Sequence, residues 1–162
     1  AMGEALDALP RASRLGGKVP MVAPERIAFL GIRDIDLEEE DLIVEKGIFA
    51  RTMDEWHDQG ILDGLKDAIT HLMTQGVDAI HLDFDLDVLD PGMMPGTGTR
   101  YPGGLTIREA SQVLRYLGNT DIPIRSMDFV ELNPMLDDTG DSTEAALHLL
   151  ATALGQRMLD RG

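Results

Sequence analysis

Apolar and acidic positions alternate most regularly from His81 to Pro91, where Leu82, Phe84 and Leu86 are interleaved with Asp83, Asp85 and Asp87. Period-2 pleating sends the three apolar side chains to one face of a strand and His81 and the three aspartates to the other. Elsewhere the periods are those of a mixed chain. Arg26 to Ile32 is a short, nearly continuous apolar run suited to a strand covered on both faces. Asp36 and Glu39 have the spacing of a capping box, which predicts a helix running to Lys46 and stopping at Gly47, followed by a strand from Ile48 to Thr52. Leu62, Leu65, Ile69, Leu72 and Met73 recur at helical spacing up to Gly76.

After the acidic strand, the Gly- and Pro-rich stretch from Gly92 to Gly104 predicts a loop able to approach a ligand closely. Thr106 and Glu109 form a second capping box, with Ala110, Val113, Leu114 and Leu117 behind it and Gly118 as the stop. A strand from Ile122 to Leu132 follows. The last helix starts near Asp141 or Ser142 and carries Ala145, Leu149, Leu150, Ala153 and Leu154 on one face. Residues 1–24 read as an irregular lead-in with a helical turn around Glu4 to Leu9, and 25–162 as one α/β unit. Alternation of strands and helices predicts a three-layer α/β/α arrangement with a mostly parallel sheet. Ligands of such sheets gather beyond the carboxyl ends of the strands.

Charge narrows the range of partners. Against 14 basic residues the 162-residue chain sets 29 acidic ones, a net charge of −15, which disfavours nucleic acid and anionic membrane and favours cationic ligands. No apolar run reaches the roughly 18 residues of a membrane span, so the expectation is a soluble, cytoplasmic protein. The absence of cysteine excludes thiolate metal sites.

Three like charges on one strand face repel unless a cation or hydrogen-bond donors lie among them, and a divalent metal meets that need most simply. A solvated acidic edge strand is the plainer alternative, although Asp is disfavoured in strand interiors. An EF-hand is excluded, since counting from Asp83 the turn position is Val88 and the bidentate position Met94. Asp90, just before Pro91, suits a turn cap better than a ligand. His81 shares the face of Asp85 but lies about 13 Å back along the strand. His57 and His71 read as surface residues of helices and His148 as a margin residue of the last one.

The run Asp83-Phe84-Asp85-Leu86-Asp87-Val88-Leu89-Asp90-Pro91, then Pro95-Gly96-Thr97-Gly98-Thr99, Gly103-Gly104-Leu105-Thr106 and Glu131-Leu132-Asn133-Pro134, resembles the second metal-binding signature of the ureohydrolases, the family of arginase, agmatinase and formimidoylglutamase. From about Arg26 onward the chain is similar to the carboxyl-terminal half of that family. The resemblance implies an arginase-like fold, a binuclear Mn²⁺ centre, hydrolysis of a small cationic guanidinium substrate with release of urea, and a homo-oligomer at full length. Carried over, Asp85 and Asp87 match metal ligands and Glu131 the carboxylate that faces the guanidinium. Thr99 matches an oxygen group beside the reacting centre, and Asp83 a supporting position.

Gly31-Ile32-Arg33-Asp34-Ile35-Asp36 with Glu39 is similar to the arginase segment whose acidic residues, here Asp34, Asp36 and Glu39, reach the amino end of the substrate. The sequence therefore leans toward arginase, with agmatinase and formimidoylglutamase as alternatives. Arg100 departs from the family, which usually has proline there. The family's Gly-Gly-Asp-His and Asp-Ala-His-x-Asp segments do not occur in this sequence, and Met2 stands where a substrate-contacting histidine would fall. Two expectations follow: half of a manganese hydrolase, inactive alone, or a truncated non-catalytic binding or assembly module.

Overall fold

The computed structural model describes residues 22–118 and 121–156. The helical turn expected around Glu4 to Leu9 lies outside them. After a 3₁₀ turn at Pro24–Arg26 come β1 (Ala28–Ile32), α1 (Leu37–Lys46), β2 (Phe49–Thr52), α2 (Met53–Gln59), α3 (Ile61–Thr74), β3 (Ile80–Asp85), α4 (Ile107–Gly118), β4 (Ile124–Val130) and α5 (Asp141–Ala153). The architecture is α/β with parallel strand pairing throughout: β1 with β2, and β3 with β4. These pairs form two separate two-stranded sheets, where the sequence predicted one.

Local chemistry sets the boundaries. Asp36 Oδ1 accepts from the Glu39 amide at 2.9 Å, Glu39 returns a bond to the Asp36 amide, and Gly47 closes α1 in the left-handed region at φ 64°. Thr106 and Glu109 cap α4 in the same reciprocal way. The sequence reading has no counterpart of α2, whose own capping box joins Thr52 and Glu55. This short helix buries Met53 and Trp56, and Gly64 of α3 lies so close to the Trp56 ring that a Cβ there would overlap it.

The acidic strand is shorter than its alternation suggests. It ends at Asp85, and Leu86–Val88 form a 3₁₀ turn because the Asp85 side chain accepts from the Asp87 amide at 3.1 Å. Phe84 and Leu86 are buried as predicted and Leu82 is half-buried, whereas His81 and Asp83 are exposed. The core joins Phe84, Leu86, Leu89 and Met94 to Leu105, Val113, Leu114 and Leu149, so the helical side of β3 is packed against α4 and α5. In α5, Leu149 is buried as predicted, but Leu154 is 72% exposed and Ala146 takes the buried place beside Leu149. No helix among the described residues is long and apolar enough to cross a membrane.

Candidate active site

β1 has a register shift between Leu30 and Ile32, centred on Gly31 at φ 86°. A Cβ at Gly31 would press on Met53 and Val88 at 3.0 and 3.1 Å, so glycine serves both the left-handed backbone and the close approach of α2 and the 3₁₀ turn. Just beyond this bulge Arg33 turns toward β3. Its guanidinium donates to the backbone oxygens of Asp87, Tyr101 (3.0 Å) and Leu89 (3.5 Å) and lies 3.9 Å from the Asp87 carboxylate. The side chain is only 9% exposed, and its Nε is buried without a partner among the described residues. Gly104 makes room for it, since any Cβ there would overlap Arg33 and the backbone at Leu89 and Asp90.

The loop after β3 is closed at its base. Leu89 and Leu105 form a parallel bridge, Asp90 N donates to Leu105 O at 3.0 Å, and Leu105 N donates to Val88 O at 2.9 Å. Asp90 is the turn cap expected: its carboxylate accepts from Gly92 and Gly103 at 2.9 and 3.0 Å, and these backbone bonds hold it below the ordinary carboxylate range. Further along, Gly96 N donates to the buried Ser142 Oγ at 2.7 Å, and Asn133 N to Gly96 O at 2.8 Å, tying the loop to α5 and to the segment after β4.

Two of the predicted site residues, Asp85 and Asp87, meet, and Glu131 lies near enough for its charge to act on Asp87. Asp87 sits beside Asp85; burial first, then the Asp85 charge and a hydrogen bond between the two carboxyls, push Asp87 up to about 6, with Glu131 adding to the rise and Arg33 opposing it. Glu131 follows the end of β4 and holds φ 64°, the one left-handed non-glycine residue described. Such a backbone costs about 1 kcal/mol or more for a residue with a Cβ and collects at functional sites.

The other predicted residues lie apart. Thr99 is exposed on the loop, its amide donating to Thr97 Oγ1 at 3.4 Å. Asp34 and Asp36 are exposed beyond β1, and Asp36 and Glu39 are engaged with each other as the cap of α1. Each histidine has a partner elsewhere: His81 with Ser126 and Asp128 on β4, His57 with Glu109, His71 with the Glu25 carbonyl and His148 with Ser111. Sequence reasoning missed Arg33 as a member of the site. A cation ending an apolar strand reads as an ordinary surface charge, and its one signal was the acidic cluster across the fold.

Adjacent, partly buried carboxylates are a donor set suited to a hard divalent ion. They are also an incomplete one, because among the described residues no three His, Cys, Asp or Glu side chains are grouped to hold a metal.

Comparison with known proteins decides the lineage of this arrangement. The family model described as "Arginase: Arginase family" matches residues 14–155. The chain belongs to the arginase family. This arginase-family chain is 38% identical over 139 residues to the arginase of Staphylococcus aureus strain COL, covering 86% of itself and 46% of that protein. Its fold is similar to the crystal structure of arginase from Bacillus caldovelox, with a TM-score of 0.83 at 36% identity over 91% of this chain and 48% of the other. Formimidoylglutamase from Bacillus subtilis is similar at TM-score 0.77 and 26% identity, over 83% of this chain and 42% of that one. The arginase-family chain thus spans about half the length of the curated relatives it matches.

Proposed function

We propose that this chain carries the aspartate-bearing half of a manganese ureohydrolase site that takes arginine to ornithine and urea. The reading is supported above all by the meeting of Asp85 and Asp87 beside the buried Arg33 at the carboxyl end of β3, with the charge of Glu131, past the end of β4, felt at Asp87. Asp85 and Asp87 would hold the metal. Manganese, when bound, supplies positive charge that makes water a nucleophile near neutral pH and stabilises developing negative charge. Glu131, at the turn past β4, would orient the cationic guanidinium by charge and hydrogen bonding. Thr99 offers an oxygen group to the reacting centre, and Asp34, Asp36 and Glu39 lie on the arginase-like segment for the substrate's amino end. Arginine is preferred over the formimidoylglutamase substrate because the arginase of Bacillus caldovelox is more alike in sequence and in fold than the Bacillus subtilis formimidoylglutamase.

Two carboxylates leave most of a coordination sphere unfilled, so the isolated chain is expected to bind one Mn²⁺ weakly and to release no urea from arginine. Activity should appear on mixing with a polypeptide that contributes the remaining ligands, and Glu131→Gln should then abolish it. Turnover by the isolated chain would overturn the half-site reading. The second reading, a non-catalytic binding or assembly module, draws on the absence of a three-residue metal group among the described residues. Mixtures that stay inactive under saturating Mn²⁺ would favour it.

A further inference from the structure

Glu131 stands between two anchors. Before it, the last rung of the β3–β4 ladder pairs Asp85 with Val130. After it, Asn133 N donates to Gly96 O at 2.8 Å. Gly96 is in turn held by α5, because its own amide donates at 2.7 Å to the hydroxyl of Ser142, a fully buried side chain. A Cβ on Gly96 would come within 2.8 Å of both Asp137 and Ser142, so the loop lies directly against this pair.

Asp137 closes the circuit. Gly140, at the start of α5, has no side chain to offer, and the Asp137 carboxylate accepts instead from the Ser142 and Thr143 amides at 3.0 and 2.8 Å and from the Thr143 hydroxyl at 2.7 Å. Burial works to raise this carboxyl, but those bonds and one from the Ser142 hydroxyl hold it below the ordinary carboxylate range. Between Asn133 and Asp137 the chain makes one 3₁₀ turn, Pro134–Leu136, begun where the Asn133 side chain accepts from the Met135 amide at 3.1 Å. A closed ring of bonds and chain thus runs from Asn133 to Asp137, Ser142, Gly96 and back to Asn133.

From this ring we infer that Ser142 is a positioning residue for Glu131. Through Gly96 and Asn133 it holds Glu131 in the left-handed backbone and so fixes where that carboxylate stands. A residue with a Cβ keeps φ 64° only where its surroundings over-determine it, and anchors at Val130 and Asn133 do so. Without the Ser142 oxygen the buried Gly96 amide has lost its acceptor, so the loop must shift to find another, and Asn133 is released with it. That Glu131 faces a guanidinium rests on the half-site reading; the link from Ser142 to Glu131 rests on the bonds alone.

The test compares the metal-free chain with Ser142→Ala by NMR. Glu131 should show the strong intraresidue cross-peak between amide and Hα protons that positive φ gives, and the variant should reduce it to the level of its neighbours. Amides of Gly96 and Asn133 should then exchange at least about tenfold faster, while those of Phe84 and Leu114 exchange as before. Chemical denaturation adds a second reading: the rise in midpoint from Glu131→Gly should vanish in the Ser142→Ala background, where no strain is left to relieve. An unchanged cross-peak overturns the inference, as does a Glu131→Gly gain of equal size in both backgrounds. Faster exchange at Phe84 and Leu114 as well would reduce Ser142 to a general support and overturn it too. If Ser142→Ala does not fold, Asp137→Asn, which keeps the shape but weakens the acceptor under Ser142, is read in the same way. Urea release is measured separately, on mixing with a polypeptide that contributes the remaining ligands. A wild-type mixture that makes none sinks the half-site reading and leaves the cross-peak to judge this one. In an active mixture Ser142→Ala should lower kcat at unchanged Mn²⁺ affinity, and an unchanged kcat overturns the positioning role.

Discussion

At the scale of single residues, the guanidinium of Arg33 bears most on the site, because it joins β1 to three backbone carbonyls around the acidic turn. Replacing it by Met leaves those oxygens without a charged donor, at about 1–3 kcal/mol by the usual cost of an unsatisfied buried acceptor. Urea denaturation should register that loss, and Mn²⁺ binding followed by electron paramagnetic resonance should weaken with it. Arg33→Lys should recover only part, since one ammonium cannot reproduce the planar fork. Asp87 gives a pH signature. Its carboxyl is raised from 3.8 to about 6, so the folded state favours the protonated form. That contribution is complete below about pH 4 and is lost as the pH rises through 6, a change of about 1 kcal/mol after discounting for solvent screening. Metal-free stability should therefore fall between pH 4 and 7, and Asp87→Asn should flatten the slope. Glu131 makes the opposite trade: Glu131→Gly should raise the denaturation midpoint by relieving the left-handed backbone, while removing the carboxylate assigned to the guanidinium.

At the scale of elements, caps decide more than periodicity. Thr52→Ala should cost about 1 kcal/mol by chemical denaturation, because it removes the side chain that starts α2 and with it the seat of Trp56 in the core. The helices α1, α3, α4 and α5 were legible from spacing and capping residues, as was the pairing of Asp90 with its loop. Helix α2 escaped because seven residues are too few to show an amphipathic period, although Thr52 and Glu55 carried its start signal in plain view. The alternation through Asp87 overran the strand for a different reason. An aspartate can satisfy the next turn's amide with its own side chain, and hydropathy does not register that competition. Nor does any pattern of side chains reveal that Glu131 adopts positive φ.

At the scale of the whole molecule, the sequence made the parallel α/β class and the family legible, but not which strands neighbour one another. Order within a sheet is set by long-range pairing, and here the separation of β1 from β3 became visible only in three dimensions. On the half-site reading the sparse acidic site has the same origin, Asp85 and Asp87 supplying part of a ligand set whose other members this sequence does not show. Combining Asp85→Asn with Asp87→Asn should abolish Mn²⁺ binding in a calorimetric titration yet leave the metal-free fold as stable or more stable, because a like-charge repulsion is relieved. A large loss of stability would show instead that the pair is structural.

Trp56 is the chain's single tryptophan, it donates from Nε1 to the Ile61 carbonyl at 2.8 Å, and its ring helps to wall the cleft between β1 and β3. The protein therefore contains its own optical gauge, free of background from any other indole. A small quencher such as acrylamide that enters the cleft should dim Trp56, and anything that fills the cleft should shield it. Lifetime measurements on unlabelled protein would then time the filling of the space as it happens.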